Sequence, residues 1–254
     1  MSDARWPAGL PRPGTPNRWA LFLDFDGTLV DIAPRPDAVQ VREGLAELLT
    51  RLHGLLDGAL AVVSGRAVAE IRHYLGHGPF AVAGLHGAEL AHGDVIECAP
   101  ADPQLEQVRA RLGQFADAHG LLLEDKGVSM AVHYRDKPEM EALVLNEVET
   151  MLEALQAETL HALNGKCVVE VRSHHSNKGS ILVQLMTMPE FAGRAPVFVG
   201  DDVTDEDGMR VALSLKGHAI KVGEGDSVAT ARLGDPAGVE QFLVALADHL
   251  ESLT

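Results

Sequence analysis

Two hundred and fifty-four residues allow one large domain or a core that carries a smaller insert. A composition that is 46% hydrophobic and 23% charged excludes a disordered chain, and 4% aromatics argue against a stacking platform for bases. With 21 basic against 37 acidic residues the net charge is −16, which argues against a nucleic-acid backbone or an anionic membrane as the main partner but leaves room for a local basic pocket.

No run approaches the ~18 consecutive apolar residues of a membrane span. The first 18 residues hold four prolines and nothing like a signal sequence, so residues 1–18 are expected to be a flexible lead. Cys98 and Cys167 lie far apart, with neither a CxxC pair nor zinc spacing. A disulfide framework is not expected, and a reducing cytoplasm is the simpler compartment.

The first apolar run, Trp19-Ala-Leu-Phe-Leu23, stops at Asp24-Phe-Asp-Gly-Thr28, as a buried parallel strand ends in a polar loop. Val41, Leu45, Leu48, Leu49 and Leu52 then recur at helical spacing. Leu60 to Val63 forms a second strand, running into Ser64-Gly-Arg66 and a helix through Val68, Ile71 and Leu75. Phe80 to Ala83 forms a third, ending at Gly84-Leu-His-Gly-Ala-Glu89. Strand, polar loop and helix in repetition predict an open parallel sheet with ligands beyond the strands' carboxyl ends.

The rhythm changes after Pro100. Asp102 and Pro103 open a helix with Leu105, Val108, Leu112 and Phe115 on one face. Runs at 121–123 and 128–134, a helix from near Pro138 and runs at 159–163 and 167–171 complete an α-β-β-α-β-β order. Residues 103–172 therefore read as an α+β insert, a cap domain within a doubly wound, Rossmann-like α/β hydrolase core of 19–102 and 173–254. The core resumes with a helix from Lys178, strands at 197–199 and 219–222, and a closing helix over 239–250.

Four polar clusters follow apolar runs. In Asp24-Phe-Asp-Gly-Thr28 two carboxylates can point to one side of an extended segment, which suits a divalent cation with nucleophilic or acid–base work; a solvated turn uses the same residues. Ser64 and Gly65 at a helix start make an anion site, although Ser-Gly alone is more often an N-cap and turn. Lys178 at a helix start opposes the macrodipole unless an anion lies nearby; alone it also reads as an exposed lysine. Gly200-Asp-Asp-Val-Thr-Asp205, followed by Glu206 and Asp207, holds more carboxylates than capping requires, and Mg²⁺ would explain the excess.

In this order the clusters resemble those of the haloacid dehalogenase-like phosphohydrolases: DxDGTL at 24–29, the hydroxyl of Ser64, Lys178, and GDDxTDE at 200–206. The stretches at 24–39, 57–66, 83–89, 132–135, 165–171, 177–179 and 196–208 sharpen the likeness to the bacterial trehalose-6-phosphate phosphatases, over about residues 20–235. The Pro-rich start and the His174-His175 pair fall outside the match.

The resemblance implies a mechanism. Asp24 would attack phosphorus to give an aspartyl phosphate, and Asp26 would protonate the leaving sugar oxygen and then take a proton from water. Ser64, Gly65 and Lys178 would hold the phosphoryl oxygens. Mg²⁺ would sit on Asp24, the backbone carbonyl of Asp26 and Asp201, with Asp202 and Asp205 in support. Cation, lysine and amides together would offset the charge that otherwise repels Asp24 from its target. Lys126, Arg135, Lys166 and Glu170 in the cap, with His86 and Glu89 at the core edge, are candidates for the sugar, although Lys126 also suits a hairpin turn and Arg135 with Glu170 a cross-strand pair. Segments near 99–103 and 172–177 would be hinges of cap closure.

The implied activity is hydrolysis of trehalose 6-phosphate by a cytoplasmic monomer. Another sugar phosphate, such as sucrose 6-phosphate or a mannosyl phosphoester, is the alternative within the class. A Mg²⁺-dependent signalling phosphoacceptor is the alternative outside it, and both Asp26 and the insert argue against that. His73 and His77 lack the glutamate of an HExxH zinc site, and Cys167 reads as buried strand packing.

Overall fold

The computed structural model describes residues 5–14, 18–33, 35, 38–165, 167–174 and 176–253. The chain divides into two compact units, Met1–Glu97 with Asn177–Thr254, and Cys98–Ser176.

The first unit is built on β1 (Trp19–Leu23), β2 (Leu60–Val63), β3 (Ala81–Gly84), β4 (Glu89–His92), β5 (Val95–Cys98), β10 (Ala195–Gly200), β11 (His218–Val222) and β12 (Ala231–Leu233). Their order is β12-β11-β10-β1-β2-β3-β4-β5. All pairings from β12 to β3 are parallel, and β4 returns antiparallel on β3. β1 is buried along its whole length, which is why its sequence is a continuous apolar run rather than an alternating one. From β1 the chain winds outward through β2 and β3 on one side, and through β10, β11 and β12 on the other. The carboxyl ends of β1, β2 and β10 therefore meet at the point where the winding reverses.

The helices of this unit are α1 (Leu45–Leu55), α2 (Val68–Leu75), α5 (Lys178–Leu185), α6 (Asp205–Ser214) and α7 (Pro236–Glu251). α1 packs on α7, and α5 on α6. Trp19, Phe22, Phe25, Phe191, Phe198 and Phe242 are its largest fully buried side chains. Part of the expected lead belongs to this core: Leu10 is buried, and the Trp6 ring lies 5.2 Å from Phe242 and 5.9 Å from Trp19.

The second unit holds α3 (Leu105–His119), β6 (Leu122–Asp125), β7 (Ser129–His133), α4 (Glu141–Ala154), β8 (Leu160–Gly165) and β9 (Val168–Ser173). Its sheet is antiparallel throughout, in the order β6-β7-β9-β8. Leu105, Val108 and Leu112 of α3 and Val144, Val148 and Met151 of α4 share a core with Met130, Val132, Val169 and Val171. By strand alternation, Ser129 and Ala131 of β7 and Glu170 and Arg172 of β9 lie on the opposite face.

The α/β core and the α-β-β-α-β-β order of the insert match the sequence reading. The hairpin of β4 and β5, the edge strand β12 and the helix α6 were not expected. Cys167 is corrected as well: it sits in a turn before β9 with φ +62°, half-buried at the edge of the insert's core, not inside an apolar strand. Among the described residues no helix is long and apolar enough to cross a membrane.

Candidate active site

Asp24 follows β1, and its backbone N–H donates to Val199 O at 3.0 Å, which fixes the end of β1 to the end of β10. Its carboxylate is buried and accepts from Lys178 Nζ at 2.6 Å. Lys178 opens α5 immediately after Asn177, whose side chain caps the helix by accepting from Gly179 N and Ser180 N at 3.0 and 2.8 Å. The same Nζ donates to Asp205 Oδ1 at 2.5 Å, and Asp205 Oδ2 takes the backbone N–H groups of Asp201 and Asp202 at 2.9 Å each. One carboxylate thus ties the lysine to the loop that carries the other acids.

Asp24, Asp201 and Asp205 each offer a carboxylate oxygen within 4.8 Å of the others. Burial, then Asp205, pushes the Asp24 carboxyl well above its ordinary range, with Lys178 opposing. Burial and Asp205 push Asp201 up to about 6. Burial alone would lower the Lys178 ammonium, but Asp205 and Asp24 reverse that and raise it. Three carboxylates around one ammonium leave net negative charge out of water. The donors are all oxygens, so the set fits a hard divalent cation and not a soft one.

Glycine is required where these acids crowd. A Cβ on Gly27, at φ +80°, would lie 2.2 Å from Asp201 Oδ2. A Cβ on Gly65 would lie 2.7 Å from His86 Nε2. Ser64 follows β2, is buried, and accepts from the backbone N–H of Arg66 at 3.1 Å. His86 reaches Gly65 from a strained turn in which Leu85 and His86 have φ +49° and +56°.

The other expected site residues are dispersed. Asp26 does not join Asp24; its carboxylate pairs with Arg66 at 2.6 and 2.8 Å. Asp202 is exposed and contributes its backbone N–H to Asp205, with its side chain turned to solvent. Glu89 Oε2 accepts the Val68 N–H at 2.8 Å, at the start of α2. In the second unit Lys126 Nζ lies 3.5 Å from Glu170, which also accepts from Ser129 Oγ at 2.7 Å. Lys126 stands in the β6–β7 turn. Glu170 is registered opposite Ala131, and Arg135 is exposed beyond the end of β7. Lys166 lies outside the described residues.

A family model described as Trehalose-phosphatase matches residues 22–235. The chain belongs to the trehalose-phosphatase family. It is 40% identical over 212 residues to a probable trehalose-phosphate phosphatase of Sinorhizobium fredii, covering 82% of this chain and 78% of the relative. It is 34% identical over 240 residues to the trehalose-6-phosphate phosphatase of Escherichia coli, covering 92% and 88%. Among solved structures, the C-terminal domain of a Candida albicans trehalose-6-phosphate phosphatase superposes with a TM-score of 0.77 at 22% identity, covering 95% of this chain and 99% of that one. A haloacid dehalogenase-like hydrolase from Bacteroides thetaiotaomicron superposes with a TM-score of 0.64 at 16% identity over 94% and 100% of the two chains. The last two likenesses establish the fold, that of the haloacid dehalogenase-like hydrolases with an inserted antiparallel cap sheet.

In this trehalose-phosphatase family member, three residues at the centre carry contacts that the sequence reading missed. Thr28 Oγ1 donates to Asp201 Oδ1 at 3.4 Å. Lys221 is buried and its Nζ donates to the backbone carbonyl of Asp201. Its signal was present: a lone charge in the apolar run Ala219-Ile-Lys-Val222 needs a buried partner. The third, Arg66, gives no such signal, because one arginine after Ser-Gly is unremarkable without its fold.

Proposed function

We propose that the chain hydrolyses trehalose 6-phosphate to trehalose and phosphate through an aspartyl phosphate on Asp24. The observation that carries this reading is a buried carboxylate at the centre of the sheet, 2.6 Å from a buried lysine and clustered with two further carboxylates. The substrate follows from the family and from what its named relatives act on.

Asp24 attacks phosphorus: an Oδ–P bond forms, the bond from phosphorus to the sugar oxygen breaks, and that oxygen takes a proton from Asp26. Water then attacks the same phosphorus, gives its proton to Asp26, and Asp24 leaves as a carboxylate. Lys178 helps to keep Asp24 ionised against its burial and balances charge on the transferring group. Asp205 holds Lys178 from its far side, and through two backbone N–H groups it holds the Asp201 loop in register with Asp24. Ser64 and the backbone at Gly65 bind phosphoryl oxygens. Mg²⁺ suits this donor set: Asp24 and Asp201, supported by Asp205, would hold it, and when bound it would supply positive charge to the phosphoryl oxygens.

Sugar choice is assigned to hydrogen-bonding side chains, since a site built for hydroxyls rejects substrates that lack them. Lys126 and Glu170, already partnered to each other, are the leading pair; Arg135, Lys166 and His86 complete the set, and Glu89 contributes by shaping the start of α2. Phosphate release is measured with Mg²⁺ from trehalose 6-phosphate, sucrose 6-phosphate and glucose 6-phosphate. Preference for the trehalose ester, abolished by Asp24→Asn, is expected. Equal rates on all three would overturn the substrate, and release that survives Asp24→Asn would overturn the nucleophile.

A further inference from the structure

The Asp26 carboxylate is held by a fork. Arg66 Nε donates to Oδ2 at 2.6 Å and Nη2 to Oδ1 at 2.8 Å, a bidentate pair that fixes the plane of the carboxyl as well as its place. Each carboxylate oxygen keeps a second lone pair, so the fork leaves room for a proton to be given or taken. Arg66 is itself braced. Its side chain is only 12% exposed, and its guanidinium carbon lies 5.8 Å from the centre of the Phe25 ring and 5.6 Å from that of Tyr74. Those two rings stack on each other at 5.8 Å. Glu70, one turn along α2, approaches a third nitrogen at 3.4 Å.

A solvent-exposed ion pair of this kind would be mobile and would contribute little. This one is walled by two rings and anchored to the residue pair Ser64–Gly65, because the backbone N–H of Arg66 donates to Ser64 Oγ. The guanidinium therefore couples the loop after β1 to the phosphate-binding start of α2. We infer that Arg66 is a positioning residue for proton transfer: it aims the Asp26 carboxyl at the leaving oxygen in the first half-reaction and at water in the second. The inference rests on Asp26 being the proton carrier in the reading above. Arg66 exchanges no atoms; the proton passes from Asp26 to the sugar oxygen, and another returns to Asp26 from water.

The test uses 4-nitrophenyl phosphate, whose phenolate leaves without protonation. With enzyme in excess, release of nitrophenolate follows the first half-reaction alone, and release of inorganic phosphate follows the second. In Arg66→Met, nitrophenolate release is expected to stay within about threefold of the unaltered protein while phosphate release slows by roughly 10–100-fold, the range for a misaimed acid–base group. On trehalose 6-phosphate, kcat falls by a similar factor with KM within about threefold. Arg66→Lys keeps the charge but not the fork and restores only part of the loss.

Asp26→Asn is run alongside, and thermal unfolding verifies that every variant is folded. If Asp26→Asn gives the split profile and Arg66→Met or Arg66→Lys slows both releases equally, raises KM alone or changes nothing, the role of Arg66 is overturned and that of Asp26 stands. If Asp26→Asn gives no split, the proton-carrier reading falls and this inference falls with it.

Discussion

Replacing Lys178 with methionine removes the buried cation that bridges Asp24 and Asp205 while keeping most of the side chain's volume. Lys178 is 3% exposed and touches Asp24 and Asp205 at 2.6 and 2.5 Å. Each contact is worth about 6 kcal/mol of attraction at an effective dielectric of about 20. Most of that offsets the desolvation of the charges, so the net loss on deleting one partner is of order 3–5 kcal/mol. At about 2–4 °C per kcal/mol, the melting temperature in chelator should fall by roughly 6–20 °C. The loss has a pH sign. Asp201 already titrates at about 6, above the ordinary carboxylate range, because of burial and Asp205. A carboxyl with a raised folded pKa costs stability as pH rises from about 4 through that value. Without Lys178 the penalty deepens, so the deficit should be largest at pH 8 and shrink at pH 5, below the raised value of Asp201. Added Mg²⁺ should recover much of it at pH 8 and little at pH 5. Scanning calorimetry with and without Mg²⁺ at the two pH values measures this. A variant that melts in chelator at the temperature of the unaltered protein at pH 8 would refute the argument that Lys178 neutralises the cluster.

Gly27→Ala places a methyl 2.2 Å from Asp201 Oδ2 at a backbone angle of +80°, and phosphate release should fall at least ~100-fold with a stability loss of about 1–3 kcal/mol in denaturant titration. Lys126→Met and Glu170→Gln each remove a charged hydrogen-bonding group from the insert, so KM for trehalose 6-phosphate should rise about 10–150-fold while hydrolysis of 4-nitrophenyl phosphate is unchanged; a loss shared by both substrates would exclude a sugar contact. Burial holds His218 below the ordinary histidine range, 5.8 Å from the Trp19 ring. Stability linked to this histidine is lost as pH falls from about 6.5 through its lower folded value. In a Trp6→Phe background, Trp19 fluorescence should quench with a midpoint below 6.5, and His218→Gln should abolish that step.

The strands that carry the site were legible because each is a buried apolar run ending abruptly in acid, hydroxyl or glycine, the pattern a parallel sheet imposes. The insert was legible from its change of period after Pro100. The hairpin of β4 and β5 was missed although Gly93-Asp94 sits between two short runs, because β5 is exposed along its length and offers no buried pattern. The helix α6 was hidden by its own acids, three of which occupy its first turn and read as a metal loop. At the site, the pairing of Asp24 with Lys178 joins residues 154 positions apart, which spacing cannot reveal. The turn of Asp26 toward Arg66 was missed for the same reason: two carboxylates two residues apart suggest a shared target, and only the fold shows that one pairs with Lys178 and the other with Arg66.

The covalent step on Asp24 is the part of the account with most at stake, and it can be read chemically. The protein is mixed with radiolabelled trehalose 6-phosphate and Mg²⁺, quenched in acid within milliseconds, and the labelled peptide is mapped. Label is expected on the peptide that contains Asp24, appearing and decaying at rates at least as fast as turnover and absent in Asp24→Asn. Label on another residue, label on Asp24 that persists without release of phosphate, or turnover with no labelled peptide at any time would each contradict the covalent step.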